Sequence, residues 1–111
     1  MKVKRAVLIS GAILVTGFFL IAAASFRNTI KPTGIIIHHS AIPSPADSQP
    51  IDAEFIETIH KRKGYGIFYW GKTYYTGYHY LILPDGTLRK GRPETARGAH
   101  TSGMNDKIGI C

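Results

Sequence analysis

The sequence has 111 residues, a formal net charge of +7 and one cysteine, Cys111. A chain of this length has room for one small domain, and a single cysteine excludes both an internal disulfide and a zinc site built from several thiolates. A metal site would have to be built mainly from histidine. Because the sequence contains no basic helix and no nucleic-acid-binding signature, its positive charge does not predict nucleic acid as a partner.

The N-terminal quarter of the chain is apolar. Ala6 to Phe26 is a run of 21 residues without a charge, and at about 1.5 Å per helical residue it matches the roughly 30 Å thickness of a bilayer core. Lys2, Lys4 and Arg5 precede the run, and basic residues on that side keep an N-terminus in the cytoplasm. We therefore predict that residues 1–26 form a hydrophobic helix that enters a membrane and sends the rest of the chain to the periplasm or the cell surface. A cleaved signal peptide and an uncleaved signal anchor both fit the run.

After a short linker, residues 27–33, the first predicted element is a strand. Residues 34–37 are a glycine followed by three isoleucines, which is typical of a strand that is central in its sheet and buried on both faces. His38 and His39 fall at its carboxyl end. Three prolines among residues 41–50 then predict a loop.

A helix is predicted over residues 52–63. Asp52 is a suitable N-cap, basic residues occupy the last turn, and Gly64 is placed to end the helix. Phe55, Ile56 and Ile59 share one face at helical spacing. We expect this face to pack against the sheet.

The remaining predicted elements are short. Residues 65–76 contain six aromatic side chains between glycines without a regular period, and we interpret this stretch as a loop. Residues 78–83 and 87–90 flank a Pro-Asp-Gly turn and predict a hairpin. Lys107 to Cys111 predict a last strand, which we expect at an exposed edge of the sheet.

Four segments occur in an order that resembles a known enzyme family. They are IIIHHSA from residue 35, HKRKG from residue 60, GYHYLILPDGTLRKGRP from residue 77 and GAHTSGMNDKIGIC from residue 98. Together they resemble the N-acetylmuramoyl-L-alanine amidases of the phage lysozyme and peptidoglycan recognition protein type. The resemblance covers residues 34–111 and implies an α/β fold, a mixed β-sheet with flanking helices, that is incomplete at its C-terminus.

The resemblance also implies an activity and a site. The family hydrolyses the amide bond between N-acetylmuramic acid and L-alanine in peptidoglycan, with a water activated by zinc that two histidines and a cysteine or aspartate hold. His38 matches the first zinc ligand, and Tyr78 matches the tyrosine that faces the scissile carbonyl and donates to its developing negative charge. His100 and Asn105 match substrate-binding positions of the cleft.

The sequence departs from the family in two places. The second histidine and the cysteine or aspartate of the zinc site lie beyond the last predicted strand in the family, and Cys111 matches a buried strand residue that is not a ligand. We therefore predict that this chain alone is inactive. Residues 65–75 form an insertion, which would either stack on sugar rings or cover an exposed edge of the core. His60 and His79 are predicted to be hydrogen-bonded structural histidines.

Three functions fit these observations. The first is a peptidoglycan amidase represented by an incomplete sequence. The second is a peptidoglycan-binding protein without catalysis, and the third is an inactive membrane-anchored remnant. A continuation of the reading frame with a histidine and then a cysteine or aspartate would favour the enzyme.

Overall fold

The structure, a computed structural model, describes residues 16–41 and 51–111. The predicted proline-rich loop and the first half of the apolar run lie largely outside the described residues. A first helix, α1, occupies residues 16–27. The other elements follow in the order β1 (Ile35–Ile37), α2 (Ala53–Arg62), β2 (Ile67–Tyr69), β3 (Lys72–Tyr74), β4 (Tyr80–Ile82), β5 (Leu88–Lys90) and β6 (Ile108–Ile110).

Four of the strands form one mixed sheet. Their order is β1, β6, β4, β5, with β6 parallel to both β1 and β4, and β5 antiparallel to β4. This confirms the predicted α/β fold with a mixed sheet and flanking helices. The predicted positions of two strands were wrong. The last strand, β6, was expected at an edge but is internal, and the first strand, β1, was expected to be central but pairs with β6 alone among the described strands. The reason is that β6 inserts between two segments distant in sequence, which local patterns cannot reveal.

The two faces of this sheet differ in burial. On the face that packs against α2, here called the covered face, Leu81 is 4% exposed and forms the core with Ile56 of α2 and Tyr78. On the opposite, bare face, Ile35 and Ile37 are 59% and 83% exposed. The prediction that the first strand is buried on both faces is therefore wrong, because in the described part of the chain one helix covers one face of the sheet.

Helix α2 begins and ends as predicted. The Asp52 side chain accepts a hydrogen bond of 2.8 Å from the backbone N–H of Phe55, and Gly64 follows the helix with a φ of 75°. Ile56 and His60 are the buried residues of α2, whereas Phe55 is 45% exposed. Consecutive helical residues are about 100° apart around the axis. Because the buried side of α2 is centred on Ile56 and His60, Phe55 lies toward solvent. The prediction that Phe55 packs against the sheet is therefore wrong.

The aromatic segment forms a hairpin, which corrects its interpretation as a loop. Strands β2 and β3 pair antiparallel from Ile67 with Tyr74 to Tyr69 with Lys72. The two turn residues, Trp70 and Gly71, have φ values of 46° and 92°. These values fit a type I′ turn, the two-residue hairpin turn in which both residues have a positive φ. Tryptophan is unusual at the first of these positions, which is why the sequence did not indicate the turn. We call β2, β3 and this turn the aromatic hairpin.

Helix α1 contains the second half of the predicted apolar run. Phe18, Phe19 and Leu20 are between 64% and 67% exposed. The residues after α1 pack on the rest of the protein, since Ile30 is buried and its N–H donates to the Thr95 carbonyl at 2.7 Å. Neither helix in the described ranges is long and apolar enough to cross a membrane.

Candidate active site

The residues singled out from the sequence converge at the carboxyl end of β1, on the covered face. His38 follows β1 directly, and its N–H donates to the carbonyl of Ile110 at 2.8 Å. Its ring centroid lies 5.5 Å from that of Tyr78 and 5.0 Å from that of His100. An open cleft of about 470 Å³ contains Tyr78, His100 and Asn105 in its wall. Its other lining residues are Ser40, His60, Lys63, Tyr65, Ala99, Thr101 and Ser102.

His38 and His100 are hydrogen-bonded to each other. The Nε2 atom of His38 lies 2.9 Å from Nδ1 of His100 and 2.8 Å from the hydroxyl of Thr101. The Nε2 atom of His100 lies 3.0 Å from the Lys107 carbonyl, and because a carbonyl only accepts, this nitrogen carries the hydrogen. In a neutral His100, Nδ1 then accepts and His38 donates from Nε2, so this atom of His38 must release its hydrogen before it can bind a metal.

Gly109 and Asn105 hold His100 in this position. A Cβ atom at residue 109 would lie 2.5 Å from Cδ2 of His100, so the ring occupies space that a glycine leaves open above β6. The side-chain oxygen of Asn105 accepts hydrogen bonds from the backbone N–H groups of His100 and Thr101, at 2.8 and 2.9 Å. Asn105 thus fixes the loop that carries His100, and its contact with substrate stays a prediction.

Tyr78 lies among the imidazole rings and is 7% exposed. Its ring centroid is 5.3 Å from that of His60, on α2, and 6.3 Å from that of His100. Burial, and next the neighbouring Cys111 thiol, raise the pKa of Tyr78 to about 12. The phenol is therefore protonated at neutral pH, and its hydroxyl lies within hydrogen-bonding reach of the Cys111 thiol.

Two further histidines near the site, His79 and His60 of α2, have structural hydrogen bonds. Nδ1 of His79 accepts from the N–H of Gly109 at 2.9 Å, so Nε2 donates to the carbonyl of Ala96 at 2.7 Å. Nδ1 of His60 accepts from the N–H of Gly77 at 2.8 Å. Both histidines are hydrogen-bonded as the sequence analysis predicted, and His60 in addition lines the cleft.

Burial is the main cause that lowers the pKa of three histidines, His60, His79 and His100, below the usual value. Imidazoles with such pKa values are uncharged at neutral pH. The cleft therefore presents neutral nitrogen donors and acceptors beside a neutral phenol.

Sequence reasoning missed Arg92, which is 2% exposed. Its guanidinium donates to the carbonyl oxygens of Thr76, Arg97 and Tyr65 at 2.7, 2.7 and 2.8 Å. Burial lowers the pKa of Arg92 to about 10. Arg92 joins the base of the aromatic hairpin to the loop before the cleft. The sequence gives no signal for this role, because an arginine that follows a hairpin is usually exposed.

The donors near His38 do not complete a zinc site. A catalytic zinc site uses three protein ligands. Within the described ranges, no three side chains of the histidine, cysteine, aspartate or glutamate type are grouped so that they could hold a metal ion. His38 and His100 are two candidate donors that are bonded to each other, and the donor set in this part of the protein does not fit zinc.

Known proteins match this chain in sequence and in fold. The family model described as N-acetylmuramoyl-L-alanine amidase matches residues 28–111. The chain belongs to the N-acetylmuramoyl-L-alanine amidase family. This confirms the resemblance found in the sequence.

Phage endolysins are among the relatives of this amidase-family chain. The endolysins of Escherichia phage T7 and Enterobacteria phage T3 are each 34% identical to it over 91 residues, which is 81% of this chain and 53% of each endolysin. The solved structure of the endolysine N-acetylmuramoyl-L-alanine amidase LysCS from Clostridium intestinale URNW aligns with a TM-score of 0.50 and 35% identity, over 73% of this chain and 45% of that chain. The chain therefore spans about half the length of these relatives.

Proposed function

We propose that the domain to which this chain contributes hydrolyses the amide bond between N-acetylmuramic acid and L-alanine in peptidoglycan. One observation carries the proposal: within the family-matched residues 28–111, His38, Tyr78 and His100 come together beside one open cleft. The family motifs point to these three positions without any information about their distances in space. Their convergence supports a common role.

Tyr78 is the proposed donor to the oxygen of the scissile carbonyl. Amide hydrolysis places negative charge on this oxygen, and a positioned neutral donor stabilises it. The phenol suits this role because its pKa of about 12 keeps it protonated. Removing such a donor costs on the order of 2.7–4 kcal/mol of transition-state stabilisation.

The rim of the cleft suits a muramyl peptide. Three residues with hydroxyl side chains, Ser40, Thr101 and Ser102, line it together with Lys63. Sugar hydroxyls and the carboxylates of a stem peptide are the natural hydrogen-bonding and ionic partners of such groups. We assign peptidoglycan as the substrate on this basis and on the family.

Zinc is the proposed cofactor of the complete site, with His38 as one ligand. Because the described donors do not fit zinc alone, the proposal requires further ligands from outside residues 16–41 and 51–111. For the same reason, we expect this chain by itself to bind peptidoglycan without cleaving it. A non-catalytic peptidoglycan-binding protein is the second candidate function, and the incomplete donor set favours it.

A fusion experiment tests the amidase proposal. The chain, and a fusion in which the remaining part of the phage T7 endolysin follows Cys111, are incubated with purified cell-wall sacculi, and released stem-peptide amino groups are measured. The fusion should release them, should lose activity in chelator and should regain it with zinc. His38→Ala in the fusion should abolish zinc binding, while Tyr78→Phe should retain zinc and lower turnover.

The outcomes separate the two candidates. A fusion that binds sacculi and zinc but releases no peptide would leave the non-catalytic binder as the better function. Full activity after exhaustive chelation would remove zinc from the proposal. A Tyr78→Phe fusion at full rate would return Tyr78 to a packing role.

We also propose that the apolar run, residues 6–26, enters a membrane and that the domain acts outside the cytoplasm. The proposal rests on the uncharged sequence and on its basic flank. Peptidoglycan lies outside the cytoplasm, which agrees with this orientation. Flotation of the chain with lipid vesicles tests the membrane step.

A further inference from the structure

The aromatic hairpin holds the end of α1. The backbone N–H of Trp70 donates to the hydroxyl of Ser25 at 3.0 Å, and Ser25 is completely buried. The ring of Trp70 meets that of Phe26 edge to face, with centroids 5.3 Å apart. The turn of the hairpin is therefore packed on the last turn of the helix.

The chain after α1 is fixed as well. The hydroxyl of Tyr69 lies 3.3 Å from that of Thr29 and 2.9 Å from that of Thr95. Thr29 also forms a β-bridge with Ala96. These contacts on both sides of the helix end give α1 one orientation relative to the domain.

The turn of the hairpin lies at the level where the apolar run ends. Phe26 is the last apolar residue before Arg27, and Trp70 is in contact with it. Trp70, Phe68 and Phe26 remain 47%, 43% and 67% exposed. Tryptophan and tyrosine collect at this level of membrane proteins because the headgroup region accommodates a ring that is partly apolar and partly polar.

The segments that form α1 and the aromatic hairpin carry basic residues and no acidic ones, while Glu57 and Glu94, from other segments, each line a pocket together with Lys72. Residues 16–41, with α1, and residues 65–76, with the aromatic hairpin, contain no aspartate or glutamate. Their basic residues include Arg27, directly after Phe26, and Lys72, two residues after Trp70. The ammonium of Lys72 stays close to the hairpin, 5.1 Å from the ring centroid of Tyr74. Anionic phospholipids attract basic residues placed in this way.

We propose that the tip of the aromatic hairpin, Trp70 with Phe68 and Phe26 beside it, seats in the headgroup region of an anionic lipid bilayer. The contact sets the orientation of the cleft relative to the membrane surface. It rests on the proposed entry of the apolar run into the membrane. Stacking of the tip on sugar rings in the cleft is the competing role. The cleft wall contains one residue of the aromatic segment, Tyr65, which precedes β2 and is not part of the tip.

Trp70 reports on its own environment because it is the only tryptophan of the chain. The full chain is reconstituted into vesicles of phosphatidylcholine and phosphatidylglycerol, and flotation is measured first. In floated vesicles the emission maximum of Trp70 should shift to shorter wavelength. Its quenching by iodide should fall several-fold relative to that of the chain unfolded in denaturant without detergent. Lipids brominated near the glycerol should quench it more than lipids brominated at the chain ends.

A second variant moves the fluorophore away from the proposed contact. Trp70→Phe combined with Tyr74→Trp places tryptophan at the open end of the hairpin, about 10 Å from its turn at roughly 3.3 Å per strand residue. This variant should float equally and keep its iodide quenching. If it is protected from iodide as strongly as Trp70, the contact is not specific to the tip.

Two results would overturn the inference while leaving the membrane step intact. One is a chain that floats with vesicles while Trp70 stays fully open to iodide. The other is quenching of Trp70 by soluble muropeptides in the absence of lipid, which would assign the tip to sugar binding. Failure to float would instead remove the proposed membrane entry on which the inference rests.

Discussion

The two faces of the four-stranded sheet are built from the same kinds of residue but do different things. The covered face packs Leu81 against Ile56 and carries His38 and His100 at its end. The bare face presents Ile35 and Ile37 to solvent. Among the elements in residues 16–41 and 51–111, helix α2 packs on the covered face and excludes water there, and the polar groups of the cleft lie next to it.

The difference shows that apolar sequence and buried position are separate properties. Ile37 and Leu81 both belong to apolar strands, yet one is 83% and the other 4% exposed. Buried polar groups need defined partners, and on the covered face His79 has a partner on each ring nitrogen. The candidate site lies on this face, where burial requires polar groups to have defined partners. The predictions below test this contrast.

The largest difference in stability is expected between variants at two neighbouring residues of β4, Leu81 and Ile82. Leu81→Ala removes a side chain from the core and should cost about 2–5 kcal/mol of unfolding free energy. A domain with one covered sheet face has little stability to lose, so the urea transition of the full chain in mild detergent, followed by circular dichroism, should shift strongly or disappear.

Ile82→Ala is the matched control for this substitution. Ile82 points to the bare face and is 56% exposed, so its truncation should change the unfolding free energy by about 0.5 kcal/mol or less. Equal losses for the two variants would mean that the bare face is covered in solution.

A smaller loss is expected when a methyl group is added under His100. Gly109→Ala would bring a Cβ within 2.5 Å of the ring, so His100 must move, and we expect its hydrogen bond to His38 to be distorted. Overpacking of this kind costs about 1–3 kcal/mol. The imidazole resonances of His38 and His100 in NMR spectra should both shift.

Gly34→Ala is the control for crowding in general. A Cβ at residue 34 would meet Lys107 at 3.6 Å, an ordinary contact, so the histidine resonances should stay in place. Unchanged imidazole signals in Gly109→Ala would show that His100 is not held by contact with the β6 backbone.

Acidification should also weaken the covered face. Burial lowers the pKa values of His60, His79 and His100 in the folded state, whereas unfolded histidine has a pKa of about 6.5. Between the lowered folded-state pKa values and pH 6.5, the unfolded state therefore binds more protons than the folded state. The stabilisation is fully present above pH 6.5 and is lost as the pH falls through the folded pKa values.

This pH effect is measured as the urea midpoint between pH 7.5 and pH 5. Each histidine contributes a slope of at most about 1.4 kcal/mol per pH unit in its window. His79→Gln, which keeps a donor for the Ala96 carbonyl, should reduce the slope. Ile82→Ala should not, because none of the described bare-face residues is a histidine. A midpoint independent of pH would contradict the assignment.

The sequence predicted the kinds of element well where a local physical signal exists. Asp52 and Gly64 bound α2 because capping and a positive φ depend on neighbouring residues alone. The place of β6 between β1 and β4, and the exposure of Ile37, depend on contacts between distant segments. They could not be derived from the pattern of any one strand.

The candidate site was predicted in a different way. His38, Tyr78 and His100 were selected through a family resemblance, since a histidine at a strand end has no distinctive pattern of its own. The hydrogen bond between the two histidines, the space above Gly109 and the buried position of Arg92 are properties of packing. No spacing in the sequence encodes them.

The smallest effect is expected on the bare face, at Ile37. Ile37→Ser exchanges a side chain that is 83% exposed, so it should lower the unfolding free energy by less than about 1 kcal/mol, the span of strand propensities. It should also reduce the rise of light scattering with protein concentration, because an exposed apolar face favours self-association. Ile36→Ser is the control, since Ile36 points to the other face of the same strand and is half-buried. It should destabilise the fold more than Ile37→Ser without improving solubility. If Ile37→Ser unfolds the protein while Ile36→Ser does not, the assignment of the two faces is reversed.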